Sequence, residues 1–250
     1  MNDRIIGILE DSFTQLIIPG ITATIPLTLI SFAFGLAIAL FLAIVRTKNV
    51  PVLATFARLY VWIFRGTPLL VQLFVIFYGL PSIGITLEAF PSAIIAFSLN
   101  VGAYASEAIR GAIAAVPKGQ FDAGASMGMN YLQIMRFIVL PQAIRIAYPP
   151  LFNEFISLVK STSLASSITV FEMFMSAQRI AARTYEPFWL YLEAAAIYLL
   201  FSTVLTRLQA IGEKRLSRCG YCSLQRHFLC LSRDSFSTNA ACSAILRRVQ

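Results

Sequence analysis

Between Asp11 and Arg46 the chain runs for 34 residues without a charged side chain. Two further runs follow, 22 residues between Arg65 and Glu88 and 18 between Glu88 and Glu107. The hydrocarbon core of a bilayer is crossed by about 20 predominantly apolar helical residues. The runs therefore predict membrane helices over roughly 19–44, 61–81 and 90–108, and a fourth over about 187–208, interrupted by Glu193 and with Arg207 at its end. The stretch 142–172 is apolar overall but carries Arg145, Glu154 and Lys160. Ionisable groups in a membrane helix are costly and face a bundle interior or a cavity, so a fifth span is predicted near 146–168. Composition agrees, with 58% hydrophobic and only 13% charged residues. That excludes a disordered chain and leaves too little polar surface for a soluble domain. The first apolar stretch exceeds a signal-peptide core and follows Asp3, Glu10 and Asp11, so it reads as a retained helix. The expected fold class is an all-α membrane protein with five transmembrane helices.

Charge placement predicts the orientation. The segment before the first span carries a net −2, and the first loop, with Arg46, Lys48, Arg58 and Arg65, a net +4. The second loop holds Glu88 alone, the third (107–145) has a net +2, and 154–193 has three positive and four negative charges. The stretch 207–250 carries a net +6. Basic loops face the cytoplasm, so the N-terminus is expected outside and the C-terminus inside. The headline charge of +8 sits mostly in that last stretch. It describes a cytoplasmic tail rather than a nucleic-acid patch, and no nucleic-acid partner is expected.

The long inner loop reads IRGAIAAVPKGQFDAGASMGMNYLQIMRFIVLP over 109–141. Gly128 permits a tight turn between two short helices, the second expected to end at Pro141. Met127, Met129 and Tyr131 crowd the turn, and an apolar tip that protrudes needs a partner surface. Asp122-Ala123-Gly124, three residues, Gly128, nine residues, then Ile138-Val139-Leu140-Pro141 resembles the EAA signature of ABC-importer permease subunits. Asp122 stands where that signature has Glu, and Gly124 where it has the second Ala. FRGTPLLVQL at 64–73, YGLP at 78–81, SLNVGAY at 98–104 with Glu107 and Arg110, and FISLVKSTSL at 155–164 resemble the polar amino-acid branch of that family. The text from Phe155 to Thr206, with AARTYE at 181–186, looks closest to L-cystine permeases; glutamine, glutamate and histidine-type substrates stay open.

The resemblance covers about residues 12–216 and implies a type I ABC-importer permease (MetI-like) fold in a bacterial cytoplasmic (inner) membrane. It implies that Asp122, Ala123, Gly124, Gly128, Ile138, Leu140 and Pro141 couple the permease to separate ATPase subunits, which bind the ATP and Mg. An extracytoplasmic solute-binding protein and a second permease subunit, identical or not, complete the expected partners, with membrane lipid around them. No cofactor is expected on this chain, and no enzyme activity of its own: it has no GxxxxGK[ST] loop, and its one histidine, His227, lies near the C-terminus. A passive channel or facilitator is the competing class, but it would not need the 109–141 loop.

A midplane amino-acid site needs an acceptor for the ammonium and donors for the carboxylate, and transporter sites lie on interrupted helices near that depth. The candidates are Asn100, Glu154, Ser161 and Thr162. Glu154 would meet the ammonium, while Asn100 and the hydroxyls of Ser161–Ser163 would serve the carboxylate. The plainer readings are that Asn100 bonds a neighbouring helix and that Glu154 pairs with Lys160 or Arg145. Glu107 and Arg110 form a helix-surface pair at i,i+3. Arg65, placed at an inner helix end, has the reach to snorkel. Cys219, Cys222, His227 and Cys230 form a C-x2-C-x4-H-x2-C string, whose spacing departs from zinc knuckles, and no metal site is expected. The permease domain is expected over 1–218, with 219–250 a disordered cytoplasmic tail.

Overall fold

The computed structural model describes residues 2–47 and 51–232, without the side chains of 2, 3, 47, 51 and 217–232. Among the described residues there are helices and no strands. One compact unit ends at Gln209 and a second begins at Ala210.

Helix α1 (Asn2–Pro19) leads through a wide turn at Gly20–Thr24 into α2 (Ile25–Thr47). The ring of Pro26 would clash with the carbonyl four residues back in a regular helix. The widened turn relieves this: the Ile25 N–H bonds five residues back, to the Gly20 carbonyl, as in a π-bulge. The helix survives the prolines and runs as one apolar element, Arg4–Arg46.

The second element departs from expectation. In place of an uninterrupted span over 61–81, α3 (Pro51–Gly66) and α4 (Leu69–Phe74) are separate helices. The chain bends by 107° between Val52–Gly66 and Leu69–Ile83. Pro68 disfavours the helical conformation at Thr67. The Gln72 amide then donates to the carbonyls of Phe64 (2.9 Å) and Thr67 (3.1 Å) left open at the end of α3. Such satisfaction is what allows a break at membrane depth.

Helix α5 (Ala89–Ala114) is the central span. It packs on α2 at two glycines: a Cβ on Gly35 would lie 2.7 Å from Val101, and one on Gly102 2.7 Å from Ile38. Between membrane helices lipid is as apolar as leucine, so close approach and van der Waals contact drive pairing. Leu27, Ala39, Phe97 and Val101 fill that contact, whereas Phe34, Phe41 and Ile44 remain exposed on α2, as side chains facing lipid must.

After α5 come α6 (Lys118–Ser126), α7 (Tyr131–Ile134), a wide turn at Met135–Val139, and α8 (Leu140–Ser161). Helix α8 runs back antiparallel to α5: Val139 and Ala143 cluster with Ile113, while Leu158 clusters with Phe97 and Val101. It does not count among the helices apolar enough by themselves to span, and it gives way to a 3-10 turn at Thr162–Ile168 rather than continuing to 168. Helix α9 (Met173–Thr184) packs on α1, and α10 (Pro187–Ser232) follows. Glu193, the acid inside the predicted fourth span, accepts a 2.5 Å hydrogen bond from Ser12. The apolar part of α10, Pro187–Leu216, is long enough to cross a membrane. The helix continues past Arg218 to Ser232, into the stretch expected to be disordered, and residues 233–250, with Cys242, lie outside the described residues.

Candidate functional site

Two separate places gather the predicted residues. The first is the α6–α7 tip. Helix α6 closes in a Schellman arrangement, with the Met129 N–H bonded to Gly124 O (3.1 Å) and the Gly128 N–H to Ala125 O (2.9 Å). This needs a left-handed residue, and Gly128 supplies it at φ 77. Asn130 then starts α7 with a capping box, accepting from the Gln133 N–H while Gln133 Oε1 accepts from the Asn130 N–H. Both ends of the turn are therefore locked by local hydrogen bonds. Gly124 is buried, and a Cβ there would lie 2.9 Å from Ile134 and 3.0 Å from Ile138. The glycine thus lets α6 sit down on the following helix. Asp122 and Ala123 are exposed, and Ile138 is half-buried behind them.

The apolar tip is composed differently from expectation. Met127 (77% exposed) and Tyr131 protrude, but Met129 turns inward against Val116, Ile134 and Val139. Leu132 (69%) and Phe137 (64%) protrude as well and were not singled out from the sequence. Pro141 does not end a helix. It sits in the first turn of α8, where its missing N–H costs nothing, and the preceding turn widens so that Leu140 N–H reaches Met135 O. Leu140 is 40% exposed.

The second place is the α3–α4 break. Asn100, near the middle of α5, donates to Gln72 Oε1 (3.0 Å) and reaches Phe64 O (3.5 Å). The break therefore lies level with the centre of the span. Arg65 starts beside the break and is exposed; its side chain reaches one turn along α5, toward Glu107, with its guanidinium over the Tyr104 ring at 5.3 Å. The bend at Pro68 puts it there, a feature that charge counting cannot register.

Glu154 is half-buried on α8 and makes no ion pair with Lys160 or Arg145; the charge that acts on it is Arg65. The predicted hydroxyls are less available. Thr162 is fully buried, its hydroxyl bonded to Val159 O at 2.7 Å, which corrects its expected role against substrate: the 3-10 turn folds it inward. Ser161 donates back to Ser157 O at 3.0 Å and Ser163 to Lys160 O at 2.8 Å.

Glu107 bonds Arg110 at 2.9 and 3.0 Å as expected, and also Arg46 at the end of α2. The pair is thus a clamp between two helices rather than a surface pair. Glu172 was not anticipated. It is fully buried, caps α9 through the Met175 N–H (2.8 Å) and accepts from Tyr198 (3.0 Å). Its only signal was an acid directly before an amphipathic stretch, the usual place for a cap. Among the described residues no cluster of three or more metal-ligating side chains occurs.

The broken second element beside α5 and the locked apolar tip are the two places the predicted residues occupy, and the comparisons name the family. Residues 35–218 match the family described as binding-protein-dependent transport system inner membrane component. The chain belongs to that family. This permease is 50% identical over 212 residues to the L-cystine transport system permease protein TcyB of Bacillus subtilis, covering 84% of this chain and 91% of that one. It also resembles a crystal structure of an amino acid ABC transporter with histidines, at TM-score 0.79 and 35% identity over 82% of this chain and 96% of that one. An inward-facing structure of the MetNI methionine ABC transporter shares the fold at TM-score 0.68 and 18% identity, covering 81% and 96%.

Proposed function

We propose that this permease forms the translocation path of an ATP-driven importer for polar amino acids, with L-cystine the first substrate to test. The observation that carries this reading is the 50% identity to TcyB across 91% of that protein. The competing class, a passive channel, leaves the locked α6–α7 tip without a purpose. In the proposed arrangement α8 crosses as the fifth span, packed on α5 and α2. The N-terminus lies outside and the C-terminus in the cytoplasm. Residues 1–218 form the permease domain, and 219–250 are dispensable. Two permease subunits assemble around the path.

The α6–α7 tip, with Asp122, Ala123, Gly124 and Gly128 at its front and Ile138, Leu140 and Pro141 behind, docks into a cytoplasmic ATPase subunit. That subunit binds the ATP and Mg, and its closure moves the tip. A solute-binding protein delivers the amino acid outside. Asn100, Glu154 and Ser161 line its passage. Competition of labelled L-cystine uptake by unlabelled amino acids, in cells lacking and then regaining this chain, tests the substrate. Restored uptake that only cystine-like compounds suppress is expected; uptake unaffected by the chain refutes the reading.

A further inference from the structure

An arginine at the centre of a bilayer is expensive to place, and such residues mark substrate or ion pathways. The Arg65 backbone starts beside the Phe64 carbonyl that Asn100 reaches, its side chain is exposed on this chain, and two features hold it. The bend at Pro68 ends α3 at mid-depth, and the Tyr104 ring supports one face of the guanidinium at 5.3 Å. Stacking occupies that face and leaves the N–H donors around its edge. Among the described residues no carboxylate lies within the 4.0 Å of an ion pair to Arg65. Glu154 is within electrostatic reach on α8, yet it too has no ion-pair partner. Here they stand on different helices and do not close on each other.

An unclosed cation and anion beside an amide pair match a free α-amino acid, which carries a carboxylate and an ammonium on one carbon. The hydroxyls that might otherwise take the carboxylate are occupied: Ser161 and Ser163 donate to helix carbonyls, and Thr162 is buried. We infer that Arg65 is the receptor for the substrate carboxylate, acting across the path from Glu154, with Tyr104 fixing the guanidinium plane. Arginine's planar fork grips a carboxylate through two parallel hydrogen bonds. The inference rests on the amino-acid reading above and adds to it a named residue and a requirement for a free carboxylate.

The test uses the complete transporter, permease with its ATPase subunits, in lipid nanodiscs without binding protein. Calorimetry compares L-cystine with its dimethyl ester, which keeps the ammonium groups and lacks the carboxylates. The wild type is expected to prefer the free acid by about 10- to 100-fold, the range for hydrogen bonds to charged groups. Arg65→Gln should bind the two alike by weakening the acid alone. Arg65→Lys keeps a point charge but loses the fork, and should weaken acid binding by about tenfold; it serves if Arg65→Gln does not assemble. Undiminished preference for the acid in either variant overturns the inference while leaving the amino-acid reading intact. Absence of L-cystine binding to the wild type, with no amino acid transported, overturns both.

Discussion

Gly102→Ala is the smallest change that tests the α2–α5 contact. The added Cβ would lie 2.7 Å from Ile38 Cγ2, 3.0 Å from Ile38 Cβ and 3.1 Å from Tyr60 Oη. Carbon atoms in contact settle at about 3.5–4.0 Å, so the helices must part by roughly 1 Å at this level. Ile38 cannot swing away, because the atoms met are those nearest its own backbone. Overpacking of this kind costs about 1–3 kcal/mol. Tyr60, which donates to Leu99 O at 2.5 Å, is pushed aside too, adding about 1 kcal/mol. The sum, about 2–4 kcal/mol, corresponds to a Tm lower by roughly 5–15 °C in purified full-length protein. Ile38→Ala should relieve the clash, so the double variant is expected to be more stable than the two single losses predict. A Gly102→Ala protein as stable as the wild type, or strictly additive losses, would refute the close-packed crossing.

Other consequences follow from particular contacts. Arg46→Ala should lower Tm more than Arg110→Ala, because the Arg46 side chain is 16% exposed and that of Arg110 49%, and exposed pairs contribute little; equal losses would count against the interhelical clamp. Leu132→Asp, at the protruding tip, should cut ATP-driven uptake at least tenfold without changing Tm, since it adds a charge to an interface core; normal uptake would show that the tip docks nowhere. Glu154→Gln should abolish uptake while the complex still assembles, and unchanged uptake kinetics would remove Glu154 from the path. Deleting 219–250 should leave transport intact, and its loss would give the tail a role.

What the chain discloses by its letters alone differs between the two places. The α6–α7 tip was legible because its determinants are local: Gly128 must be left-handed, and the spacing from Asp122 to Pro141 is a string. Three apolar spans, Arg4–Arg46, Ala89–Ala114 and Pro187–Leu216, were legible because charges are sparse in them. Arg65 was legible only in part for the same reason. Taking charges as markers of the membrane boundary puts Arg65 at the edge; the bend before α4, fixed by Pro68 and the reach of Gln72, sets its backbone beside Asn100, while its guanidinium reaches one turn along α5 to Tyr104. Thr162 looked open in the string KSTS, yet it starts a 3-10 turn fully buried, with its hydroxyl on Val159 O. Met129 and Glu172 depend on partners far along the chain, Val116 and Tyr198, which no local pattern announces.

The central claim is that this chain carries an amino acid inward only when coupled to ATP hydrolysis through its tip. The most direct measurement is uptake of labelled L-cystine into proteoliposomes holding the permease and its ATPase subunits. Concentrative uptake that requires both ATP and the solute-binding protein is expected, and it should vanish with the Leu132→Asp permease. Equilibrating flux that persists without ATP would contradict the account and make the chain a channel.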